Sequence, residues 1–345
     1  MKRRPLLLVI GALTLALASC TSSVPGADSS SVSSSPAPAQ STTSEAPTGC
    51  DPAPLTGLTA HGAKPQAVLG VKVENSPRAR PQSGLEDADI VFVQLVEGGE
   101  TRFLALFDSV LPESVGPVRS IRPTDAALLG QWDAGVALFF SGGIQDFVNK
   151  VNAAGVQVLE EGAKGFYRAS TRVAPHNLYV SLAEGTGVVS QPEQCSEAFV
   201  HYLTEGETKD GGVPASSVTV AYPSVTSGWA WNAQASAWER SDDGVETTSL
   251  TSGEVVTATN VVVVTAQTRN LSYTDVAGAA VPETILEGTG KLDYFMTGQH
   301  FTGTWQKAGV NEPFVFTDDQ GDAVALEPGN TWVELLPASG SLTVK

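Results

Sequence analysis

Positive charge is scarce in this sequence. The 345 residues include 20 Lys and Arg against 37 Asp and Glu, and the formal net charge is −17. Proteins that bind nucleic acid, or that adhere broadly to an anionic membrane, need a cationic surface, so the composition argues against both classes. The few cations are concentrated, because seven of the eleven arginines lie between Arg78 and Arg172. In an acidic protein such a concentration indicates one local purpose.

Long apolar runs are missing after the first twenty residues, so nothing there has the roughly eighteen apolar residues of a membrane-spanning helix. The N-terminus carries a shorter run at residues 6–17, behind three cations at positions 2–4. A length of about a dozen residues is typical of a secretion signal and too short for a permanent span. The run ends in Leu-Ala-Ser-Cys at residues 17–20.

The small residues before Cys20 resemble the bacterial lipobox, which implies cleavage of residues 1–19 and attachment of a diacylglyceryl group to Cys20. Two or more acyl chains, at about 0.8 kcal/mol per buried methylene, hold a protein stably on a membrane. Residues 20–50 then form a tether rich in Ser, Thr, Pro and Ala, a composition that predicts disorder. We predict a lipoprotein on the extracytoplasmic face of a bacterial membrane, and an ordinary signal peptide cleaved near Ala18 is the alternative.

Cysteine is also nearly absent. With Cys20 lipidated, Cys50 and Cys195 are the only thiols, in an oxidising compartment. A bridge between them would close a long loop, and the chain-entropy account gives such a bridge about 4–5 kcal/mol. We predict this disulfide, with two isolated thiols as the alternative.

Residues 51–205 alternate strand and helix patterns, which predicts an α/β-type domain with a mixed sheet. The sequence Glu-Gly-Gly-Glu at 97–100 predicts a tight turn between two strands. The predicted strands are 67–73, 90–96, 102–107, 115–119 and 135–140, and the predicted helices are 123–133, 144–154 and 192–205.

Residues 206–214 are predicted to be a linker, and residues 215–345 lack helix patterns. Short strands separated by Gly, Asp and Asn predict a sandwich or a barrel there. The fold class is therefore predicted to be α+β, with a mostly-β C-terminal domain. The predicted strands are 217–222, 229–232, 237–240, 260–266, 291–297, 300–305 and 332–336.

Several ordered motifs resemble one known family. They are Pro-Leu-Thr-Gly-Leu at 54–58, Ala-Arg-Pro-Gln-Ser-Gly-Leu at 79–85, Gly-Pro-Val-Arg-Ser-Ile-Arg-Pro at 116–123, Ala-Pro-His-Asn-Leu-Tyr at 174–179, Gly-Thr-Trp-Gln-Lys at 303–307 and Pro-Gly-Asn-Thr-Trp-Val at 328–333. Together they are similar to the YerB-like lipoproteins, known as domain of unknown function 3048. The resemblance covers most of residues 54–337. It implies a surface lipoprotein with two domains, and it implies no known reaction.

The strongest candidate binding site is the segment 116–125. A strand ends at Arg119 and a helix begins at Pro123, so unpaired backbone N–H groups point toward a junction that Arg119 and Arg122 flank. A helix N-terminus with two guanidinium groups favours a carboxylate or a phosphate. In the alternative, both arginines pair with acids and brace the sheet. Those acids would be Glu97, Asp89 or Asp125.

Glu97 and Arg102 flank the glycine turn, where the backbone can approach a ligand closely. Glu97 could act as a base or bind a ligand hydroxyl, or Arg102 or Arg119 could simply neutralise it. Ser141 lies between a strand and a helix, a common position for a binding loop. The glycine of a hydrolase elbow is missing two residues before it, so we predict that Ser141 is a helix N-cap.

His176 is the only histidine inside a motif. As a general acid or base it would need an orienting carboxylate, which Asp125 or Glu97 could supply if the fold brings them together. Hydrogen bonding to a ligand and a structural contact are the alternatives. The sequence has no metal-ligand spacing, phosphate loop or dinucleotide fingerprint, so we predict neither metal nor cofactor.

We therefore predict an envelope lipoprotein without a complete catalytic signature, whose N-terminal domain binds an anionic small molecule or a cell-wall fragment. One alternative is a hydrolase or transferase that uses Glu97 and His176 on an envelope glycan or phosphodiester. Another is a scaffold that docks proteins. The predicted ligand-binding residues are Arg102, Arg119, Arg122, Asp125, Ser141, His176 and Asn177.

Overall fold

The computed structural model describes residues 49–132, 135–204, 206–275 and 278–345. The predicted leader, Cys20 and the tether up to residue 48 lie outside the described residues. Within the described ranges, no helix has both the length and the apolar character to cross a membrane. The helices are α1 (Asp125–Leu129), α2 (Gln145–Ala153) and α3 (Leu182–Gly185), with 3-10 turns at Leu85–Asp87, Glu97–Gly99 and Thr186–Val188.

Strands form most of the regular structure, and the predicted α+β class is confirmed. The first half contains β1 (Val68–Glu74), β2 (Ile90–Leu95), β3 (Thr101–Phe107), β4 (Val136–Phe140), β5 (Gln157–Glu160), β6 (Phe166–Arg168), β7 (Leu178–Val180) and β8 (His201–Tyr202). The rest are β9 (Val213–Pro214), β10 (Ser217–Ala221), β11 (Thr226–Asn232), β12 (Ala237–Asp242), β13 (Val245–Glu246), β14 (Thr257–Ala258), β15 (Asn260–Ala266), β16 (Thr268–Thr274), β17 (Ala280–Thr284), β18 (Gly288–Met296), β19 (Gln299–Lys307), β20 (Val315–Asp318), β21 (Ala325–Leu326), β22 (Thr331–Pro337) and β23 (Ser341–Val344).

One mixed sheet contains strands from both halves of the chain. Its order is β20-β19-β18-β15-β22-β2-β3-β1-β4-β5, with β9 beside β19. β22 lies between the halves, because it pairs in parallel with both β15 and β2. Five strands of a second sheet follow the order β13-β12-β11-β10-β23, with β14 beside β12. The strands of the second half are thus divided between two sheets.

Both faces of the large sheet are buried. On one face, Phe92 and Leu104 pack with residues of α1 and α2. On the other face, Val93 and Phe103 pack with Trp229 of the second sheet. Strands buried on both faces are expected to be nearly continuous apolar runs, as in β1 and β15. Any polar side chain on these strands must therefore find partners inside the protein.

A buried ionic cluster lies between the two sheets. The fully buried Arg240 pairs with Asp242 at 2.9 Å and with Glu334 at 3.0 Å. Its guanidinium carbon lies 4.5 Å from the ring centroid of Trp332. Two carboxylates compensate the charge of Arg240, so this cluster supports packing.

The predicted disulfide between Cys50 and Cys195 is confirmed, whereas the predicted helix at 192–205 is wrong. Residues 192–200 have no regular secondary structure and lead into β8. Tertiary contacts explain the difference, because the bridge fixes Cys195 and the ring of Phe199 packs 5.8 Å from that of Phe92. Such contacts override a weak helix propensity.

The first helix is also shorter than predicted. α1 begins at Asp125 and ends at Leu129, so the predicted start at Pro123 and residues 130–132 are not helical, and residue 133 lies outside the described residues. A Cβ at Gly130 would lie 3.1 Å from the Cβ of Ala154. A residue without a side chain at this position therefore lets the end of α1 lie close to the end of α2. The predicted helix at 144–154 and the hairpin of β2 and β3 are confirmed.

Candidate anion-binding site

A row of polar residues crosses three strands of the large sheet near one end. Arg102 on β3 lies opposite Glu74 on β1 and opposite Gln94 on β2. Residues paired in this way share a face of the sheet. Leu104, two positions after Arg102, belongs to the cluster that includes α1 and α2, so the row lies on the helix-covered face.

The extended segment 115–122 brings two more arginines to this row. Its backbone runs beside β1, because the N–H of Arg119 donates to the carbonyl of Lys72 at 2.9 Å. The side chains of Arg102 and Arg122 both donate to the carbonyl of Ser120, at 3.2 and 3.4 Å. The segment therefore places Arg119 and Arg122 beside Arg102 of β3.

These side chains line one cavity of about 470 Å³. Four of the residues named from the sequence line it together: Arg102, Arg119, Arg122 and Glu97. Three further carboxylates and four apolar residues also line it. They are Glu74, Glu100, Asp275, Val96, Ile144, Phe147 and Val281.

Arg122 has all its guanidinium nitrogens engaged. Nε and Nη2 donate to Oε2 of Glu97 at 3.2 and 2.6 Å, and Nη1 donates to the carbonyl of Ile121 at 2.8 Å. Glu97 in turn is neutralised by this ion pair. Glu97, one of the acids named for the bracing alternative, is therefore the ion-pair partner of Arg122.

Arg102 and Arg119 keep unused donors. Among the described residues, the only hydrogen bond of the Arg102 guanidinium goes to the carbonyl of Ser120. The guanidinium of Arg119 donates no hydrogen bond to a described residue. Its ion-pair contact is Oε2 of Glu74, which lies 3.6 Å from Nε of Arg119. The Nε atoms of both arginines are buried without a hydrogen-bond partner. Such unpaired buried donors are unfavourable unless a ligand or water satisfies them.

The electrostatics of Arg102 reflect the same lack of partners. Burial lowers the pKa of Arg102 to about 9, and the neighbouring charge of Arg122 acts in the same direction. No carboxylate of the described residues forms an ion pair with Arg102. The charges of Glu97 and Glu74 act on the pKa of Arg102 in the opposite direction, although neither carboxylate forms an ion pair with it.

His176 has a carboxylate partner, but not one predicted from the sequence. Its Nδ1 lies 2.9 Å from Oε2 of Glu74, whereas Asp125 and Glu97 had been proposed to orient it. Oε1 of Glu74 accepts a hydrogen bond from Ser76 at 2.7 Å. Glu74 therefore connects His176 to Arg119, although His176 itself does not line the cavity.

Asp125 lies beneath the cavity and not in its wall. It is wholly buried, and its carboxylate contacts Nζ of Lys72 at 2.9 Å, Nε2 of Gln94 at 2.8 Å and the N–H of Arg122 at 2.7 Å. Asp125 thus fixes the backbone of Arg122 from below.

Ser141 and Asn177 also lie outside the lining of the cavity. The hydroxyl of Ser141 donates to Glu161 at 2.7 Å, and Nη1 of Arg168 donates to Oδ1 of Asn177 at 2.7 Å. The prediction that Ser141 caps the following helix is wrong, because the N-cap position of α2 is Ile144. Gly142 and Gly143 separate Ser141 from Ile144, so Ser141 lies too early in the chain to cap α2.

Two family models match the chain. One is described as "Protein of unknown function (DUF3048) N-terminal domain" and matches residues 55–193. The other is the C-terminal domain of the same family and matches residues 218–333. The chain belongs to this family. The resemblance recognised in the sequence motifs is thereby confirmed.

Similarity to a named relative extends over most of the chain. The chain is 32% identical over 307 residues to "Putative lipoprotein YerB" of Bacillus subtilis (strain 168), a match that covers 83% of this chain and 86% of the relative. It is also similar to a crystal structure of the YerB protein from Bacillus subtilis. That match has a TM-score of 0.70 and 30% identity, and it covers 84% of this chain and 99% of the other.

Sequence reasoning missed Lys72 and Glu74. Both lie in β1, a strand whose other residues are Val, Leu and Gly. Their spacing of two residues places them on one face, the face that carries Arg102. Two charges spaced by two residues, one within and one directly after the apolar strand predicted at 67–73, were therefore the signal that could have identified them.

Proposed function

We propose that this protein is a lipid-anchored envelope protein that binds an anionic small molecule in the cavity formed around Arg102 and Arg119. The anchor would be Cys20, on the extracytoplasmic face of the membrane. The name of the Bacillus subtilis relative supports a lipoprotein, and the lipobox-like end of the leader supports the position of the anchor.

The observation that carries the proposal is the spare hydrogen-bonding capacity of two arginines in one cavity. The guanidinium of Arg119 donates no hydrogen bond to any described residue, and the guanidinium of Arg102 donates one. Guanidinium groups present paired donors that match a carboxylate or a phosphate. A ligand with either group would satisfy donors that the protein leaves unpaired.

The charges in the cavity are mixed, and their arrangement favours an anion. Glu97 is paired with Arg122, and Glu74 divides its carboxylate between His176 and Arg119. Glu100 and Asp275 also line the cavity, and burial raises the pKa of the Glu100 carboxyl. Arg102 is left as a cation without a carboxylate partner.

The acid/base alternative stays a prediction, and two contacts make binding the better supported function. Arg122 engages Glu97 through two nitrogens, and His176 is held by Glu74. A general acid or base must reach the proton that it transfers. Neither side chain is presented to the cavity without a protein partner.

The test compares anion binding by the purified full-length protein with that of the variant Arg102→Gln plus Arg119→Gln. Inorganic phosphate and succinate are titrated by calorimetry, and the shift in Tm is measured in parallel. We expect wild-type Tm to rise with either anion by mass action, and the affinity of the double variant to be at least tenfold weaker. Removing Arg102 should not unfold the protein, because its buried charge has no carboxylate partner.

The matched control is Arg168→Gln. Arg168 pairs with Glu161 at 2.6 Å, is half-exposed and lies outside the cavity, so this variant should bind like the wild type. If neither anion stabilises the wild type more than the double variant, the proposal fails.

A further inference from the structure

The cavity that holds the arginines also has apolar walls. Val96, Phe147 and Val281 are 4%, 4% and 2% exposed, and Ile144 is half-buried. All four line the same cavity as Arg102 and Arg119. Apolar side chains gain nothing from an inorganic anion, because the hydrophobic effect requires an apolar partner.

Backbone contacts place part of this apolar lining beside the arginines. The N–H of Ser141 donates to the carbonyl of Arg119 at 3.0 Å, and the N–H of Ile121 donates to that of Gly142 at 3.2 Å. These bonds bring the start of α2, with Ile144, next to the arginine segment. Val96 follows β2 and directly precedes Glu97, whose carboxylate forms the ion pair with Arg122.

The aromatic member is fixed by its own packing. The ring of Phe147 lies 5.3 Å from that of Tyr273, in an edge-to-face arrangement with an interplanar angle of 86°. Phe147 therefore presents one defined surface, and a ligand would not have to immobilise it first. Sites that combine rigid apolar walls with a few polar groups are typical of small organic ligands.

The size of the cavity also indicates a ligand larger than an inorganic anion. A carboxylate or a phosphate alone is comparable to a few water molecules of about 30 Å³ each, whereas the cavity measures about 470 Å³. Organic ligand sites usually span about 300–1,000 Å³. An anion held by Arg102 and Arg119 would leave most of this volume for another part of the same molecule.

We propose that the ligand is an amphipathic anion, in which a carboxylate or phosphate contacts Arg102 and Arg119 and an attached hydrocarbon group contacts Ile144, Phe147, Val96 and Val281. This inference rests on the proposed function, since it names the chemical class of the ligand for the same cavity. It adds a requirement that anion binding alone does not make. The affinity must increase with the size of the apolar group that the anion carries.

The experiment measures affinity along two homologous series. Methyl, butyl and phenyl phosphate form one series, and acetate, butanoate and hexanoate form the other, each titrated into the full-length protein in the same non-ionic detergent. We expect butyl phosphate to bind at least tenfold more tightly than methyl phosphate, because each buried methylene adds about 0.8 kcal/mol. A dependence on chain length in only one series identifies the anion as a phosphate or a carboxylate.

A variant locates the apolar contact. Ile144→Ser removes a hydrocarbon side chain from the cavity and retains a good residue for the N-cap position of α2. We expect it to bind methyl phosphate like the wild type and to lose most of the preference for butyl phosphate. Val148→Ser is the control, because Val148 is half-buried on the same helix and does not line the cavity.

The outcomes separate this inference from the proposed function. If methyl phosphate or acetate binds but longer chains bind no more tightly, the amphipathic ligand is overturned and anion binding stands. If Val148→Ser abolishes the preference as strongly as Ile144→Ser, the assigned contact is overturned. If no member of either series binds, both proposals fail.

Discussion

Glu74 and Arg102 lie directly opposite each other where β1 pairs with β3, yet they form no ion pair. The carboxylate of Glu74 contacts Nδ1 of His176 at 2.9 Å and lies 3.6 Å from Nε of Arg119. Opposite charges at facing positions of a sheet usually attract. Here the carboxylate of Glu74 contacts His176 and not Arg102, and Arg102 lines the cavity without an ion pair to Glu74.

This relationship makes Glu74 a competitor of any bound anion. We expect Glu74→Gln to raise the affinity for inorganic phosphate about two- to fivefold at low salt, because a negative charge near Arg119 is removed while the shape is retained. The effect should decrease at high ionic strength, where partly exposed charges are screened. Calorimetric titration at two salt concentrations measures both changes.

Glu161→Gln serves as the comparison for this prediction. It removes an equal charge from the pair with Arg168, outside the cavity lining. A rise in affinity of the same size in both variants would mean that overall charge, and not the position of Glu74, controls binding.

Asp108 gives a prediction for the pH dependence of stability. Burial, reinforced by the charge of Asp89, raises the pKa of Asp108 to about 7. The folded state then binds a proton that the unfolded state has lost, so the free energy of unfolding falls as pH rises from about 4 to 7. We expect Asp108→Asn to stabilise the protein at pH 8 by about 1–3 kcal/mol, at about 1.4 kcal/mol per pKa unit, and to have little effect near pH 4.

Denaturant unfolding at pH 4 and pH 8 measures this difference. Asp210→Asn is the control, because Asp210 is exposed and should show no dependence of this kind. An equal effect of Asp108→Asn at both pH values would contradict the raised pKa.

The disulfide provides a third prediction. Cys50 and Cys195 are separated by 145 residues, and closing so long a loop restricts the unfolded chain. We expect Cys50→Ser plus Cys195→Ser to lower the free energy of unfolding by about 2–5 kcal/mol. A reductant should destabilise the wild type by a similar amount and leave the double variant unchanged. Insensitivity of the wild type to the reductant, with the bridge shown to be reduced, would contradict the prediction.

Sequence patterns predicted the secondary structure correctly where contacts between neighbouring residues determine it. The hairpin of β2 and β3 follows from two apolar runs around a glycine turn, and Gly98 adopts a positive φ of 72° there. The segment at 192–205 was predicted incorrectly because its conformation depends on distant partners, namely Cys50 and the ring of Phe92. The division into two domains at 206–214 stays a prediction, and β22 of the second half pairs with β2 of the first.

Prediction of the candidate site from the sequence was also limited by contacts between residues that are distant in sequence. The arginines were identified because their motif combines an extended segment with the start of a helix. The contact between Glu74 and His176 was missed because the two residues are 102 positions apart, and no sequence period connects them. Contacts formed by the pairing of distant strands cannot be read from spacing along the chain.

The buried pair of Lys72 and Asp125 gives the last prediction. Both side chains are 0% exposed, and their charged atoms lie 2.9 Å apart. Burial, which outweighs the attraction of Asp125, lowers the pKa of Lys72 to about 8. Removing one member of such a pair leaves the other charge uncompensated and usually costs about 3–5 kcal/mol. We expect a loss of this size for Lys72→Met.

Asp125→Asn should behave differently, because Lys72 can release its proton. With its folded pKa already below the ordinary value, Lys72 in this variant should be more easily neutralised as pH rises, so the loss of stability should be smaller at pH 9 than at pH 6. The double variant should lose less than the sum of the two single losses, since neither charge is then left alone. Denaturant unfolding of the four proteins at both pH values measures these differences. Additive losses that do not change with pH would show that the two groups do not interact as an ion pair.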